Sequence, residues 1–150
     1  DGFTMSGGNI GGTLGLGSST TNVATDGGSA NTVTITAGSI GGNIIGTAGT
    51  DDITLAAGVT VGGQIALGDG VDTVDLNGAS VGVHVNFGGG DETFAMSGTD
   101  TVTRDVIMGG GSDDFTMSGG SIGEDLSLGI SGTSASGDAG LTNTATNTTS

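Results

Sequence analysis

The chain has 150 residues, of which sixteen are acidic and only one, Arg104, is basic, so its formal net charge is -15. This charge excludes nucleic acid as a partner and disfavours an anionic membrane surface, because both require clustered Lys and Arg. With 35 Gly, no Pro, no Cys and four Phe as the only aromatic residues, the composition excludes disulfides and thiolate metal sites and predicts a thin, repetitive core.

One pattern recurs along the chain in six copies, which we call coils one to six. They begin at Phe3, Val33, Ile53, Val74, Phe94 and Phe115. In the first copy, Phe3 and Met5 alternate as in a strand, Ile10 follows, and Leu14 and Leu16 repeat the alternation. One copy cannot bury its apolar face alone, but parallel stacking of the copies at about 4.8 Å would do so. The sequence therefore predicts an all-β protein, a parallel β-solenoid (β-helix or β-roll-like) of about six coils with 20–21 residues each.

A longer period is superimposed on the coils. Residues 3–17 match residues 115–129 at 11 of 15 positions, an offset of 112 residues that continues beyond the coil. The match predicts that the chain is a window on a longer array. We expect residues 1–129 to form one solenoid domain with an inserted loop at 18–30. Residues 130–150 should form the corresponding loop and either the start of a further coil or a frayed end.

A glycine-rich turn precedes the first strand of several coils. Residues 68–74, 88–94 and 109–115 all read GxGx[DE]xU, where U is apolar. The turn resembles the RTX calcium-binding nonapeptide, GGxGxDxUx, of secreted bacterial β-roll proteins. The resemblance implies that acidic side chains and turn carbonyls hold calcium between successive coils. The candidate ligands are Asp51, Asp72, Glu92, Asp113, Gly68, Gly70, Gly88, Gly90, Gly109 and Gly111.

The acidic position also has a physical argument of its own. It lies two residues before an inward apolar residue and therefore points to the same side of the strand. Like charges about 4.8 Å apart repel by roughly 3 to 4 kcal/mol at an effective dielectric near 20, so an inward acidic column needs a counter-ion such as calcium. The alternative is that these side chains cap the turns and face solvent.

The sequence offers no convincing catalytic group. His84 lies between two strand valines and should point outward, and Arg104 should form a surface pair with Asp105. Adjacent acids such as Asp51 and Asp52 face opposite sides of a strand, so they cannot act together on one bond. We therefore expect that the protein is not an enzyme. A Thr-rich outward face resembles ice-binding solenoids, although Asp75 and Ala95 interrupt it.

The coil pattern, typified by residues 113–129, also resembles passenger regions of large bacterial autotransporter-type adhesins. The resemblance implies an extracellular or cell-surface location and a structural or adhesive rod or filament. Its expected partners are neighbouring repeats, other copies joined end to end, and a host or surface receptor. No membrane-inserted segment is predicted. The competing hypothesis is a calcium-dependent, RTX-like folding module of a secreted protein.

Overall fold

The computed structural model of the protein describes residues 1–17, 28–129 and the strand 144–147. Throughout these residues the regular structure is β-strand, and every strand pair is parallel. The all-β parallel β-solenoid expected from the sequence is therefore confirmed. Most of the predicted loop at 18–30, and all of 130–150 except the strand, lie outside the described residues.

Most coils contribute three strands, which run along three sides of the solenoid. On the first side lie β1 (Gly2–Ile10), β3 (Asn31–Ile40), β5 (Asp51–Leu55), β8 (Thr73–Asn77), β11 (Thr93–Ser97), β14 (Asp114–Met117) and β17 (Thr144–Asn147). The second side is formed by the C-terminal ends of β1 and β3 and by four short strands that pair in series beside them. These are β6 (Thr60–Val61), β9 (Ser80–Val81), β12 (Thr101–Val102) and β15 (Ser121–Ile122). The third side is a six-stranded sheet of β2 (Leu14–Gly15), β4 (Ile44–Ile45), β7 (Ile65–Asp69), β10 (Val85–Gly89), β13 (Val106–Ile107) and β16 (Leu126–Ser127).

The register follows the sequence repeat. Ile53 pairs with Val74, Val74 with Phe94, and Phe94 with Phe115, so the first inward residue of each coil stacks on its equivalent. A slip by one residue would turn every apolar side chain outward, and this is why the period-two pattern fixes the register.

Apart from Leu126, which is 38% exposed, the predicted inward side chains form one continuous core. In the middle coils the apolar side chains are fully buried, and Phe94 packs between Phe87 and Phe115 with ring centroids 5.6 and 5.5 Å away. The partly buried core residues all belong to the first and last coils: Phe3, Ile10, Leu14, Leu16, Met117, Ile122 and Leu128. The core is thus closed in the middle and partly exposed in its two end coils, and β17 pairs along the first side of coil six.

The 112-residue period is also a structural period. At the start of the chain, β1 pairs with β3 so that Gly2 is opposite Thr32. At the other end, β14 pairs with β17 so that Asp114 is opposite Thr144, and both numbers are larger by 112. The strand β17 therefore pairs with coil six in the same register in which β3 of coil two pairs with coil one. In the described part of the chain, no helix is long and apolar enough to cross a membrane.

A buried carboxylate column as candidate cation site

Four carboxylates lie one above another inside the solenoid, at the first residue of the first strand in coil three and directly before that strand in coils four to six. Asp51, Asp72, Glu92 and Asp113 are at most 1% exposed, and Asn31 of coil two continues the column at 4%. The alternation along the strands thus predicted the inward direction correctly. Of the alternative, exposure to solvent is wrong for these four, whereas capping is seen, because Asp51, Asp72 and Asp113 accept backbone N–H groups. Asp1, at the open end of the column, is exposed. Metal binding at the column remains a prediction.

The lowest carboxylate of the column, Asp51, has strong hydrogen-bond donors. Its Oδ1 accepts from Asn31 Nδ2 at 2.6 Å, and its Oδ2 accepts from the backbone N–H of Thr47 at 2.6 Å. Asn31 Nδ2 also donates to the carbonyl of Ser29. The charge of Asp51 is therefore stabilised by the protein itself.

Asp72 is only half satisfied. Its Oδ1 accepts from the backbone N–H of Asp51 at 2.8 Å, whereas its buried Oδ2 has no donor. Burial raises the pKa of Asp72 from 3.8 to about 7, the hydrogen bond from Asp51 opposes the rise, and the charges of Asp51 and Asp69 add to it.

Glu92 has no donor at either carboxylate oxygen when it is ionised. Burial is the main cause that raises its pKa from 4.5 to about 9. The next cause is a hydrogen bond with Asp113, which requires a proton shared between the two carboxyls, followed by repulsion from Asp113, Asp72 and Asp91. Asp113 itself accepts from the backbone N–H of Glu92 at 3.2 Å.

The turn glycines of the motif have a packing role that is independent of any ion. The six predicted ligands Gly68, Gly70, Gly88, Gly90, Gly109 and Gly111 all have positive φ, between 97° and 150°. A Cβ at Gly109 would lie 1.8 Å from the carbonyl oxygen of Gly88, one coil below. These glycines are therefore required where the turns of successive coils touch.

Backbone carbonyls nevertheless lie beside the column. Gly90 has no side chain, and a Cβ added to it would lie 1.5 Å from Gly70 O and 2.6 Å from Glu92 Oε1. The carbonyl oxygen of Gly70 and the carboxylate oxygen of Glu92 therefore lie on the same side of Gly90. Among the described residues, no three Asp, Glu, His or Cys side chains form a group that could hold a metal ion. A cation in the column would therefore need carbonyl ligands beside the carboxylates, and such all-oxygen sets suit hard cations.

The sequence argument missed a further buried carboxylate, Asp100, which is fully buried on the second side of the solenoid. It accepts from the backbone N–H groups of Gly78, Ala79 and Ser97, that of Ala79 at 2.7 Å. Aligning the coils would have singled it out, because Asp100 occupies the position of the buried Val59 and Ala79. Asp100 therefore acts as a latch, by which we mean a buried carboxylate that holds turns of two neighbouring coils through their backbone N–H groups.

On the outer surface, Asp105 has a different partner from the one that the sequence predicted. Asp105 Oδ2 lies 3.0 Å from His84 Nδ1, and both side chains are partly exposed. Among the described residues, no ion pair joins Arg104 and Asp105, so the predicted pair is not found. His84 and Asp105 occupy equivalent positions on neighbouring coils, directly before the paired residues Val85 and Val106.

The protein is thus a β-solenoid with a column of buried carboxylates, of which Asp72 and Glu92 have oxygens without donors. Comparisons with known protein families, curated proteins and solved structures found no match.

Proposed function

We propose that the protein is a structural or adhesive segment of an extracellular or cell-surface rod, in which its coils stack on further coils of the same 112-residue repeat. The observation that carries the proposal is that β17 pairs with β14 in the register in which β3 pairs with β1, so the stack repeats after 112 residues. Core residues are half-buried only in coils one and six, and these two coils are near copies of each other.

The near identity of the end coils indicates what would pack on coil one. Coil six packs on coil five, with Phe115 on Phe94 and Met117 on Met96. Because coil one repeats Phe115 and Met117 as Phe3 and Met5, its open edge would fit a coil with the sequence of coil five. That edge also has a pocket of about 220 Å³ lined by Asp1, Gly2, Phe3, Leu14, Gly15, Leu16, Asn31 and Thr32. An unpaired strand edge with a half-buried core is a template for a further strand.

The partners in this proposal are neighbouring repeats of the same chain and, end to end, other copies. Adhesion to a receptor would fall to segments 18–30 and 130–142, which the sequence predicts to be loops. We propose no catalytic role for the protein.

A second candidate function, favoured by the buried Glu92 without donors, is a calcium-dependent folding module. Such a module would be exported as an unfolded chain and would fold outside the cell, where the calcium concentration is high. Extracellular calcium modules work at the high calcium concentrations found outside cells, which agrees with an external location.

The rod proposal is tested by a chain in which residues 1–112 are duplicated in front of the full sequence. The junction then reads Ser112-Asp1-Gly2-Phe3, as Ser112-Asp113-Asp114-Phe115 does in the native chain. Five added coils should lengthen the particle by roughly 24 Å in small-angle scattering, at about 4.8 Å per coil. Melting should remain a single transition at a higher temperature. Two separately melting units would overturn the proposal.

A matched variant tests the junction itself. Thr32 N–H donates to Asp1 C=O, so alternation along β1 directs the N–H of the exposed Thr4 away from β3. Thr4→Pro should therefore leave the single chain nearly unchanged. The same change in the second copy of the duplicated chain should uncouple the two halves, with Thr4→Ser as the control. Coupling that survives Thr4→Pro would contradict strand pairing at this edge.

A further inference from the structure

We propose that one divalent cation of the calcium type binds at Glu92, between Asp72 and Asp113, and that no cation binds beside Asp51. The inference rests on the second candidate function and deepens it by naming the place, the ligands and the number of ions. The proposed ion site occupies only part of the column, whereas the turn motif would predict an equivalent site in every coil that carries it.

The donors in the column separate its two halves. Asp51 receives donors at both oxygens, from Asn31 and Thr47. Asp72 receives one donor and Glu92 none. The charge without compensation is therefore centred on Glu92 and the free Oδ2 of Asp72.

The extra methylene of Glu92 explains why its carboxylate is left over. Asp72 and Asp113 each accept the backbone N–H of the column residue one coil below, at 2.8 and 3.2 Å. Glu92 makes no such bond, and its Oε1 lies instead close to the turn carbonyl of Gly70. Glu92 is thus the residue of the column that has both carboxylate oxygens without a donor beside a turn carbonyl.

The ligands available at this place are all oxygens. Glu92 supplies Oε1 and Oε2, Asp72 supplies Oδ2, and the turn between coils three and four supplies Gly70 O. The paired register of Thr73 and Thr93 puts Asp72 and Glu92 on neighbouring rungs, about 4.8 Å apart. Calcium takes oxygen ligands in flexible geometry, which suits a site built from two coils.

The protein has no cation of its own to place there. The groups that face Glu92 electrostatically are Asp113, Asp72 and Asp91, and those around Asp72 include Asp51 and Asp69, all acidic. The only Lys or Arg in the chain is Arg104, which is exposed. Charge balance must therefore come from a bound cation or from protons, and the two compete for the same oxygens.

The test is calorimetric titration of the full chain with CaCl₂ near neutral pH, in two buffers of different ionisation enthalpy. We expect one calcium per chain and release of protons on binding. Glu92→Gln keeps the shape and removes the charge, and should weaken calcium binding by about tenfold or more. Asp52→Asn, an exposed acid next to the column, removes the same charge and should bind calcium as the parent chain does.

Thermal unfolding with and without EDTA keeps folding and binding separate. Glu92→Gln should unfold at the same or a higher temperature than the parent chain in EDTA and should gain nothing from calcium. Unaltered calcium binding by Glu92→Gln would overturn the proposed place while leaving a cation-dependent module standing. A folded parent chain that binds no calcium would overturn both. Neither result would affect the rod proposal, because the duplicated chain carrying Glu92→Gln should still melt as one unit.

Discussion

The carboxylate of Asp72 accepts a hydrogen bond from the backbone N–H of Asp51, 2.8 Å away in the coil below. The side chain of one coil thereby holds the turn of its neighbour, and Asp113 holds the turn of Glu92 in the same way. Glu92 has the same burial without a donor. One column therefore combines structural latches with an uncompensated charge, and the two kinds of carboxylate should respond oppositely to mutation.

Without divalent cations, the free energy of unfolding should fall as the pH rises from about 4 to about 9. The pKa of Asp72 is raised from 3.8 to about 7 and that of Glu92 from 4.5 to about 9, in both cases mainly by burial. The stabilisation from protonating these groups is fully present below about pH 4 and is lost as the pH passes each folded-state pKa. Circular dichroism melts in EDTA measure this. The upper part of the slope should disappear in Glu92→Gln, and a flat profile for the parent chain would contradict the assignment.

Asp51→Asn should destabilise the protein by about 1–3 kcal/mol at neutral pH, because an amide group would face the Asn31 and Thr47 donors. The same exchange of a carboxyl for an amide at Glu92 should leave stability equal or higher in EDTA. Urea unfolding of Asp51→Asn and Glu92→Gln side by side measures the difference. A larger loss in Glu92→Gln would show that the column is not divided as we describe.

Asp100→Ala should cost about 1–3 kcal/mol, although the side chain fits a position that is Ala79 in the preceding coil. The change removes the acceptor of three backbone N–H groups, those of Gly78, Ala79 and Ser97. Hydrogen exchange should accelerate at these amides first. Asp114→Ala, which removes an exposed acid, serves as the control. Unchanged exchange at the three amides would rule out the latch.

Gly109→Ala should destabilise the protein by about 2–4 kcal/mol, with and without calcium alike. Gly109 has φ 97°, and its Cβ would meet Gly88 O at 1.8 Å. Gly2→Ala is the matched control, since its Cβ meets nothing within 4 Å. If calcium restored the stability of Gly109→Ala, the glycine would have a role in ion binding beyond the packing of the coils.

The repeat, the strand register and the inward direction of the column could all be read from the sequence. Alternation over two residues, as in Phe94 and Met96, is a local property, and stacking of like on like follows once each coil is too thin to fold alone. The pairing of His84 with Asp105 and the burial of Asp100 were missed, since each depends on a neighbouring coil.

The sequence by itself determined that the chain is a solenoid with a nested period of 112 residues and an acidic column facing inward. Only the tertiary structure decided which carboxylates find donors: Asp51 does, Asp72 does in part, and Glu92 does not. The physical reason is the range of the two effects. The side of a strand on which a residue lies depends on its position in the repeat, whereas a hydrogen bond to a buried carboxylate depends on turn atoms one coil away along the stack.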